Sequence, residues 1–158
     1  MKVRPYSESD LAEVHAIQSR SPQAAQWRHE DYSKLALDPL AFILVAETEA
    51  PSCLAGFAVF RRVLDEAELL NLAVEPSLRR KGIGQQLLMA GMGELRAHGV
   101  LKVFLEVRAS NQPAIDFYSA AGFTRQGRRR GYYHHPVEDA LTLSCKLAAF
   151  LPDTSLRP

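Results

Sequence analysis

Apolar and polar positions fall into short blocks divided by Pro, Gly and Asx residues, and each block has a readable period. Residues 2–6 predict a short opening strand. Ser7 with Asp10 three positions on marks a helix start, Asp being a weaker partner than the Glu or Gln of a capping box. Leu11, Val14, Ile17 and Gln18 recur at helical spacing to about Ser19, and Ser21-Pro22 breaks the pattern. A second helix is expected over 27–37, ended by Asp38-Pro39, with Trp27 as a core anchor beside Arg28 and His29. Runs at 41–47 and 53–63 predict strands around an Ala50-Pro51-Ser52 turn, with Gly56 as a bulge. Asp65-Glu66 leads into a further apolar strand that Pro76 stops. Residues 83–98 predict a helix with Leu87, Leu88 and Met92 inward and Gly99 just past its end. A strand at 100–107 follows, then a helix capped by Asn111, with Pro113 in its first turn and Gly122 closing it. Strands at 123–130 and 140–147 flank an expected loop, Tyr132-Tyr133-His134-His135-Pro136. The domain is expected over 1–148, with 149–158 as a flexible tail.

Antiparallel hairpins surround one strand-helix-strand crossover in this order. The fold class is therefore α/β: a single domain whose mixed, mostly antiparallel sheet has a central crossover and flanking helices.

The crossover carries the first candidate chemistry. Its strand ends in Leu72-Ala73-Val74, then comes Arg79-Arg80-Lys81-Gly82-Ile83-Gly84-Gln85, then the helix. A glycine turn entering a helix directs backbone N–H groups and the positive end of the helix dipole at open space, and three cations surround the spot. Such a place binds phosphate. A P-loop would need Gly-Lys-Ser/Thr, which Gly84-Gln85-Gln86 does not supply. A dinucleotide fingerprint would need Gly or Ala where Leu87 stands, although Glu106 nearly fits its acidic position; it would also need repeated crossovers. The remaining readings are a coenzyme A pyrophosphate loop and an ordinary basic turn.

Composition narrows the class. A net charge of +1 over 158 residues excludes whole-molecule electrostatic binding of nucleic acid. Cys53 and Cys145 are too few for a disulfide framework and lack metal-ligand spacing, so buried free thiols in a reducing compartment are expected. His134 and His135 are adjacent rather than at ligand spacing, and no metal is expected. No signal region or membrane-length apolar run is evident, so the expected location is cytoplasmic.

The second signature begins Leu105-Glu106-Val107-Arg108-Ala109-Ser110-Asn111 and continues through Ala114-Ile115, Phe117-Tyr118 and Gly122-Phe123. It sets a carboxylate near a strand end, an Asn at a helix cap and a Tyr two turns into that helix. Each has a plain structural reading: a strand carboxylate paired with Arg108 or a cross-strand base, a simple cap, and a core Tyr. Together with Arg79-Arg80-Lys81-Gly82-Ile83-Gly84 they resemble motifs A and B of the GNAT acetyltransferase superfamily. The narrower resemblance is to its RimI type, the ribosomal-protein alanine N-acetyltransferases. It extends from about Glu66 to Leu147, half of the chain, through Arg128-Arg129, Tyr132-Tyr133 and Glu138-Asp139-Ala140.

The resemblance implies an acetyl-CoA-dependent transfer to an amine by direct attack, with acetyl-CoA as co-substrate. By position it makes Glu106 the general base and Tyr118 the general acid. Backbone groups at Leu72, Ala73 and Val74 would hold the pantetheine arm, Arg79 to Gln85 the pyrophosphate, and Asn111 the coenzyme. Tyr132 and Tyr133 would shape the acceptor groove. Gly131, where relatives carry a larger polar residue, and His134-His135-Pro136 depart from the family pattern on the acceptor side. The expected acceptor is a protein N-terminal α-amine, as on a ribosomal protein, with a small amine or amino acid as the alternative. A non-catalytic acyl-CoA sensor is the other alternative, and neither nucleic acid nor membrane is expected as a partner. Arg128, Arg129 and Arg130 would favour acidic residues near the acceptor's start, or form a solvated edge.

Overall fold

The computed structural model describes residues 1–147. The chain runs β1 (Lys2–Pro5), α1 (Leu11–Ser19), α2 (His29–Leu37), β2 (Ala41–Glu47), β3 (Leu54–Val63), β4 (Glu66–Val74) and α3 (Ile83–Ala97). Then come β5 (Lys102–Arg108), α4 (Gln112–Ala120), β6 (Thr124–His134) and β7 (Val137–Lys146). Single 3₁₀ turns lie at Glu8–Asp10 and Pro76–Leu78. The seven strands form one sheet ordered β1-β2-β3-β4-β5-β7-β6. Among the described residues only β4 and β5 pair in parallel, joined by α3, as the mixed sheet with one crossover anticipates. The expected tail over 149–158, and residue 148, lie outside the described residues.

Apolar side chains form one core on each face of the sheet. Phe60, Leu87, Leu88, Leu95, Leu105, Tyr118 and Phe123 pack on the face covered by α3 and α4. Val14, Ile17, Tyr32, Phe57 and Val59 pack on the other, under α1 and α2. A register jump between Val59 and Phe60 leaves Leu70 of β4 as an extra residue. The bulge inverts the strand. Before it Ala67 and Leu69 join the α3 core; after it Ala73 joins the α1–α2 core, while Leu72 and Val74 pack toward α3.

Several expectations shift. Trp27 precedes α2 rather than starting it, and packs edge-on against Tyr32 at 5.3 Å between ring centroids. Cys53 lies before β3 and is exposed, beside Thr48, because the turn pulls it out of the ladder; Cys145 is the buried thiol. The β2–β3 irregularity faces Ala46 and Glu47, and Gly56 sits at its edge. There a Cβ would stand 2.8 Å from the Ala73 carbonyl oxygen, so close backbone approach requires the glycine. The largest correction concerns Tyr132-Tyr133-His134. They belong to β6, with Tyr133 opposite Glu138 and His134 opposite Val137. A bulge makes this possible: Gly131 takes φ +62° and donates its N–H to the Asp139 carboxylate at 2.8 Å, so three β6 residues oppose one of β7.

Candidate active site

The crossover strands part company almost at once. β4 and β5 are paired only over Glu66–Glu68 and Lys102–Phe104, yet β4 continues to Val74 and β5 to Arg108. A wedge therefore opens between them. The Glu75 N–H donates to the Ala55 carbonyl at 2.8 Å, and Val74 faces Gly56 while Ala73 faces Phe57. Antiparallel alternation then turns the polar backbone groups of Leu72 and Val74 into the wedge and those of Ala73 toward β3. Leu72 and Val74 can thus hold an extended amide-bearing chain. Ala73 contributes none of its backbone groups there, which corrects the expectation for that residue.

At the mouth of the wedge is the basic glycine turn. Gly82, with φ +80°, precedes α3, and a Cβ on it would meet nothing within 4 Å. The left-handed backbone is therefore what requires glycine there. A Cβ on Gly84 would make ordinary contacts, 3.5 Å to Phe117 and 3.6 Å to Val74. Arg80 adopts φ +62°, and neither it nor Lys81 has a side-chain partner among the described residues. Arg79 is held back: it donates to the Val74 carbonyl at 3.3 Å and to Ser21 Oγ at 3.2 Å. The exposed cations Arg80 and Lys81, the helix start at Ile83 and the first-turn residue Gln85 form a basic surface of the kind that can receive an anion.

Glu106 and Tyr118 lie on opposite faces of the sheet. On β5, Val103, Leu105 and Val107 are buried in the α3–α4 core, so alternation puts Glu106 on the α1–α2 side. Its partly buried side chain, 16% exposed, receives Arg129 Nη1 of β6 at 3.0 Å. Arg129 also lies 5.2 Å above the Tyr132 ring, and Arg108 lies 4.2 Å above the Tyr133 ring. Burial and the Glu106 carboxylate raise both phenols, that of Tyr133 to about 12. Arg108 itself pairs with Glu138 at 3.5 Å, so the partner of Glu106 is Arg129 rather than Arg108.

Tyr118 belongs to the α3–α4 core at 8% exposure, with Phe117 and Phe123 edge-on at 5.0 and 5.6 Å. Burial pushes its phenol above the ordinary range, and no hydrogen bond to a described residue engages its hydroxyl. It stays protonated at neutral pH and free to donate. Asn111 caps α4, its Oδ1 accepting from the Ala114 N–H at 3.3 Å.

Sequence reasoning missed three contributors. Glu68 shares a face with Glu106 because it pairs with Phe104 across the parallel β4–β5 ladder, a register that no local pattern signals. Arg129 reaches Glu106 across strands. Asn71, buried on β4, fastens the α1–α2 loop by accepting from the Ala25 N–H at 3.2 Å and donating to its carbonyl at 3.0 Å. Arg128 is engaged by Asp139 at 2.5 Å and Arg129 by Glu106, so two of the three arginines offered for acidic acceptors are already paired.

Comparison with known proteins identifies the family and the fold. A profile described as "Acetyltransferase (GNAT) family" matches residues 9–123. The [ribosomal protein bS18]-alanine N-acetyltransferase of Salmonella typhimurium is 48% identical over 97 residues, 60% of this chain and 66% of that relative. The aligned part thus spans just under two thirds of the relative's length. The crystal structure of the ribosomal-protein-S18-alanine N-acetyltransferase from Escherichia coli superposes with a TM-score of 0.80 at 30% identity, over 99% of both chains. A spermidine N-acetyltransferase from Vibrio cholerae shares the fold, with a TM-score of 0.82 at 18% identity over 96% of this chain and 98% of that one.

Proposed function

The chain belongs to the GNAT acetyltransferase family, and from that premise we propose that it acetylates a protein N-terminal α-amine, alanine first, using acetyl-CoA. A ribosomal protein is the proposed acceptor and the cytoplasm the proposed location. One observation carries the reading: the β4–β5 wedge has a basic, glycine-turned mouth, with a carboxylate on one face of the sheet and a buried, protonated phenol on the other.

In this reading Arg80, Lys81 and the backbone from Gly82 to Gln85 hold the pyrophosphate. Arg79 joins them by leaving Val74 and Ser21. Leu72 and Val74 hydrogen-bond the pantetheine arm, and Asn111 at the start of α4 borders the coenzyme. Glu106 takes a proton from the acceptor's ammonium group, and the neutral amine attacks the thioester carbonyl from the α1–α2 side. Tyr118 gives its proton to the departing thiolate from the α4 side. Tyr132 and Tyr133 form one wall of the acceptor groove, as strand residues.

The amine's own acidity favours an N-terminus. With a pKa of about 8, roughly a tenth of an α-amine is neutral at pH 7, against well below one in a thousand for a lysine of about 10.4. A single carboxylate suffices for the first. No thiol is placed for an acyl-enzyme: Cys53 is at the β2–β3 turn and Cys145 is buried in β7. The presence of both Glu106 and Tyr118 disfavours a non-catalytic sensor.

The test compares kcat/KM for an Ala-initiated peptide, the same peptide N-terminally blocked with an internal Lys, and spermidine. The free N-terminus is expected to be preferred by more than tenfold. Faster turnover of spermidine would replace the acceptor with a small amine.

A further inference from the structure

In the proposed reaction Glu106 and Tyr118 serve the two ends of one transfer, the incoming nitrogen and the departing sulfur, yet they lie on opposite faces of the sheet. Their relative placement matters, because a shift of about 1 Å can cost on the order of 10²-fold in rate. The chain joins them through the end of β5, the turn Ala109-Ser110-Asn111 and the first two turns of α4. Tyr118 is the one buried residue of α4, so the helix depends on that ring and on how its entry is tied down.

Backbone carbonyls satisfy most of that entry. The Ala109 N–H donates to the Asp139 carbonyl at 3.0 Å, that of Asn111 to Arg108 at 2.9 Å and that of Gln112 to Ser110 at 2.9 Å. The Ser110 N–H is the exception and donates to a side chain, Glu138 Oε1, at 2.6 Å. The second oxygen, Oε2, faces Arg108 Nη1 at 3.5 Å. The Arg108 guanidinium lies 4.2 Å above the Tyr133 ring and donates to the Pro136 carbonyl at 3.4 Å. Tyr133 is itself the residue opposite Glu138 in the β6–β7 ladder. We infer that Glu138 is a positioning residue: its carboxylate braces the entry to α4, and through it Tyr118, against the Arg108–Tyr133 wall of the acceptor groove.

The surroundings suit a brace. Leu141 and Leu143 of β7 point into the α3–α4 core, so alternation puts Glu138 on the α1–α2 side with Glu106. From there its side chain reaches the turn by which the chain crosses to the other face. Hydrogen bonds from Ser110, and after them Arg108, hold its carboxyl below the usual carboxylate range, so it is ionised at neutral pH. Each oxygen serves one side: Oε1 holds the helix that carries the acid, and Oε2 holds the cation under the tyrosine. A substitution can therefore cut one tie and spare the other. Glutamine keeps an oxygen for the Ser110 N–H but removes the anion beside Arg108, whereas alanine removes both.

This inference rests on the acetyltransferase reading, and its test separates the two. Kinetics with the Ala-initiated peptide are compared for wild type, Glu138→Gln, Glu138→Ala, Arg108→Met, Tyr118→Phe and the Glu138→Ala/Tyr118→Phe pair. Amide hydrogen exchange across residues 110–118 is followed in parallel. Glu138→Gln is expected to raise the peptide KM by about 3- to 10-fold with kcat within about twofold, and Arg108→Met should do the same. Glu138→Ala should also lower kcat by about tenfold and speed exchange from Ser110 into α4, which Glu138→Gln should not. The pair should lose less kcat than the product of its single losses, because the brace acts through the Tyr118 phenol. Wild-type kinetics in both Glu138 variants, strict multiplicativity in the pair, or unchanged exchange in Glu138→Ala would overturn the brace. If Glu138→Ala does not fold, a Glu138→Gln protein whose KM stays at wild type while that of Arg108→Met rises would overturn it as well. An inactive wild type would refute the acetyltransferase reading instead, and the exchange measurement would still decide whether Glu138 holds α4.

Discussion

Gly91 lies where α3 crosses β3, and replacing it with alanine sets two opposing effects against each other. Helix propensity alone favours the change by about 1 kcal/mol. The new Cβ, however, would stand 2.2 Å from two carbons of the Phe60 ring, against a normal carbon–carbon contact of about 3.5–4.0 Å. Phe60 cannot turn aside cheaply: it is fully buried and stacked on Phe42, with ring centroids 5.1 Å apart. The helix must move outward instead, and overpacking of this kind costs about 1–3 kcal/mol or somewhat more. Sterics win, for a net loss of about 1–2 kcal/mol. In a domain of this size that is a fall in Tm of roughly 3–8 °C by calorimetry. Because α3 begins at the glycine turn, acetyl-CoA affinity should fall with it. Adding Phe60→Leu should restore both by making room for the methyl group. A Gly91→Ala protein as stable as wild type would show that the close contact does not constrain the helix, and the reasoning would fail.

Other expectations follow from the coenzyme loop and the N-terminal anchor. Gly84→Asp should leave Tm unchanged or slightly raised, since its Cβ fits and a first-turn carboxylate suits the helix dipole. It should weaken acetyl-CoA at least about tenfold by calorimetry through repulsion of the pyrophosphate, and unchanged affinity would remove the loop from the site. Arg4 grips Asp10 with two hydrogen bonds, at 2.8 and 2.9 Å, and with Ser7 holds its carboxyl below the usual range. That stability is present above the unfolded carboxylate value of about 3.9 and is lost as pH falls through the lower folded value. Asp10→Asn should therefore cost roughly 2–3 kcal/mol at pH 7, and its stability should vary less than wild type below about pH 4 in denaturant titrations.

The crossover was legible because its determinants are local. An apolar run, Pro76 as a stop, two glycines and a helical repeat follow one another within some 20 residues. The Asn111 cap and the buried Tyr118 are equally local. What escaped depends on register. The Leu70 bulge decides which faces Leu72, Ala73 and Val74 occupy, and nothing in Glu68-Leu69-Leu70-Asn71 announces it. Residues 132–134 looked like a loop because Gly131 before them and Pro136 after them are turn residues. The Asp139 carboxylate, by accepting from both Gly131 and Arg128, holds that segment in the ladder. Ala73 was read as lining the wedge beside Leu72 and Val74, although ladder alternation assigns its polar groups to β3.

The proposed activity is one transfer: acetyl from acetyl-CoA to an α-amine, with Glu106 as base. Wild type and Glu106→Gln can be incubated with acetyl-CoA and an Ala-initiated peptide containing an internal Lys, and the modified atom located by tandem mass spectrometry. We expect the mark on the N-terminal nitrogen alone. The rate should fall by about 10²- to 10⁴-fold in Glu106→Gln near neutral pH, recovering in part as the pH is raised, with acetyl-CoA affinity intact. A mark on the lysine side chain, or a Glu106→Gln protein as fast as wild type, would contradict the account.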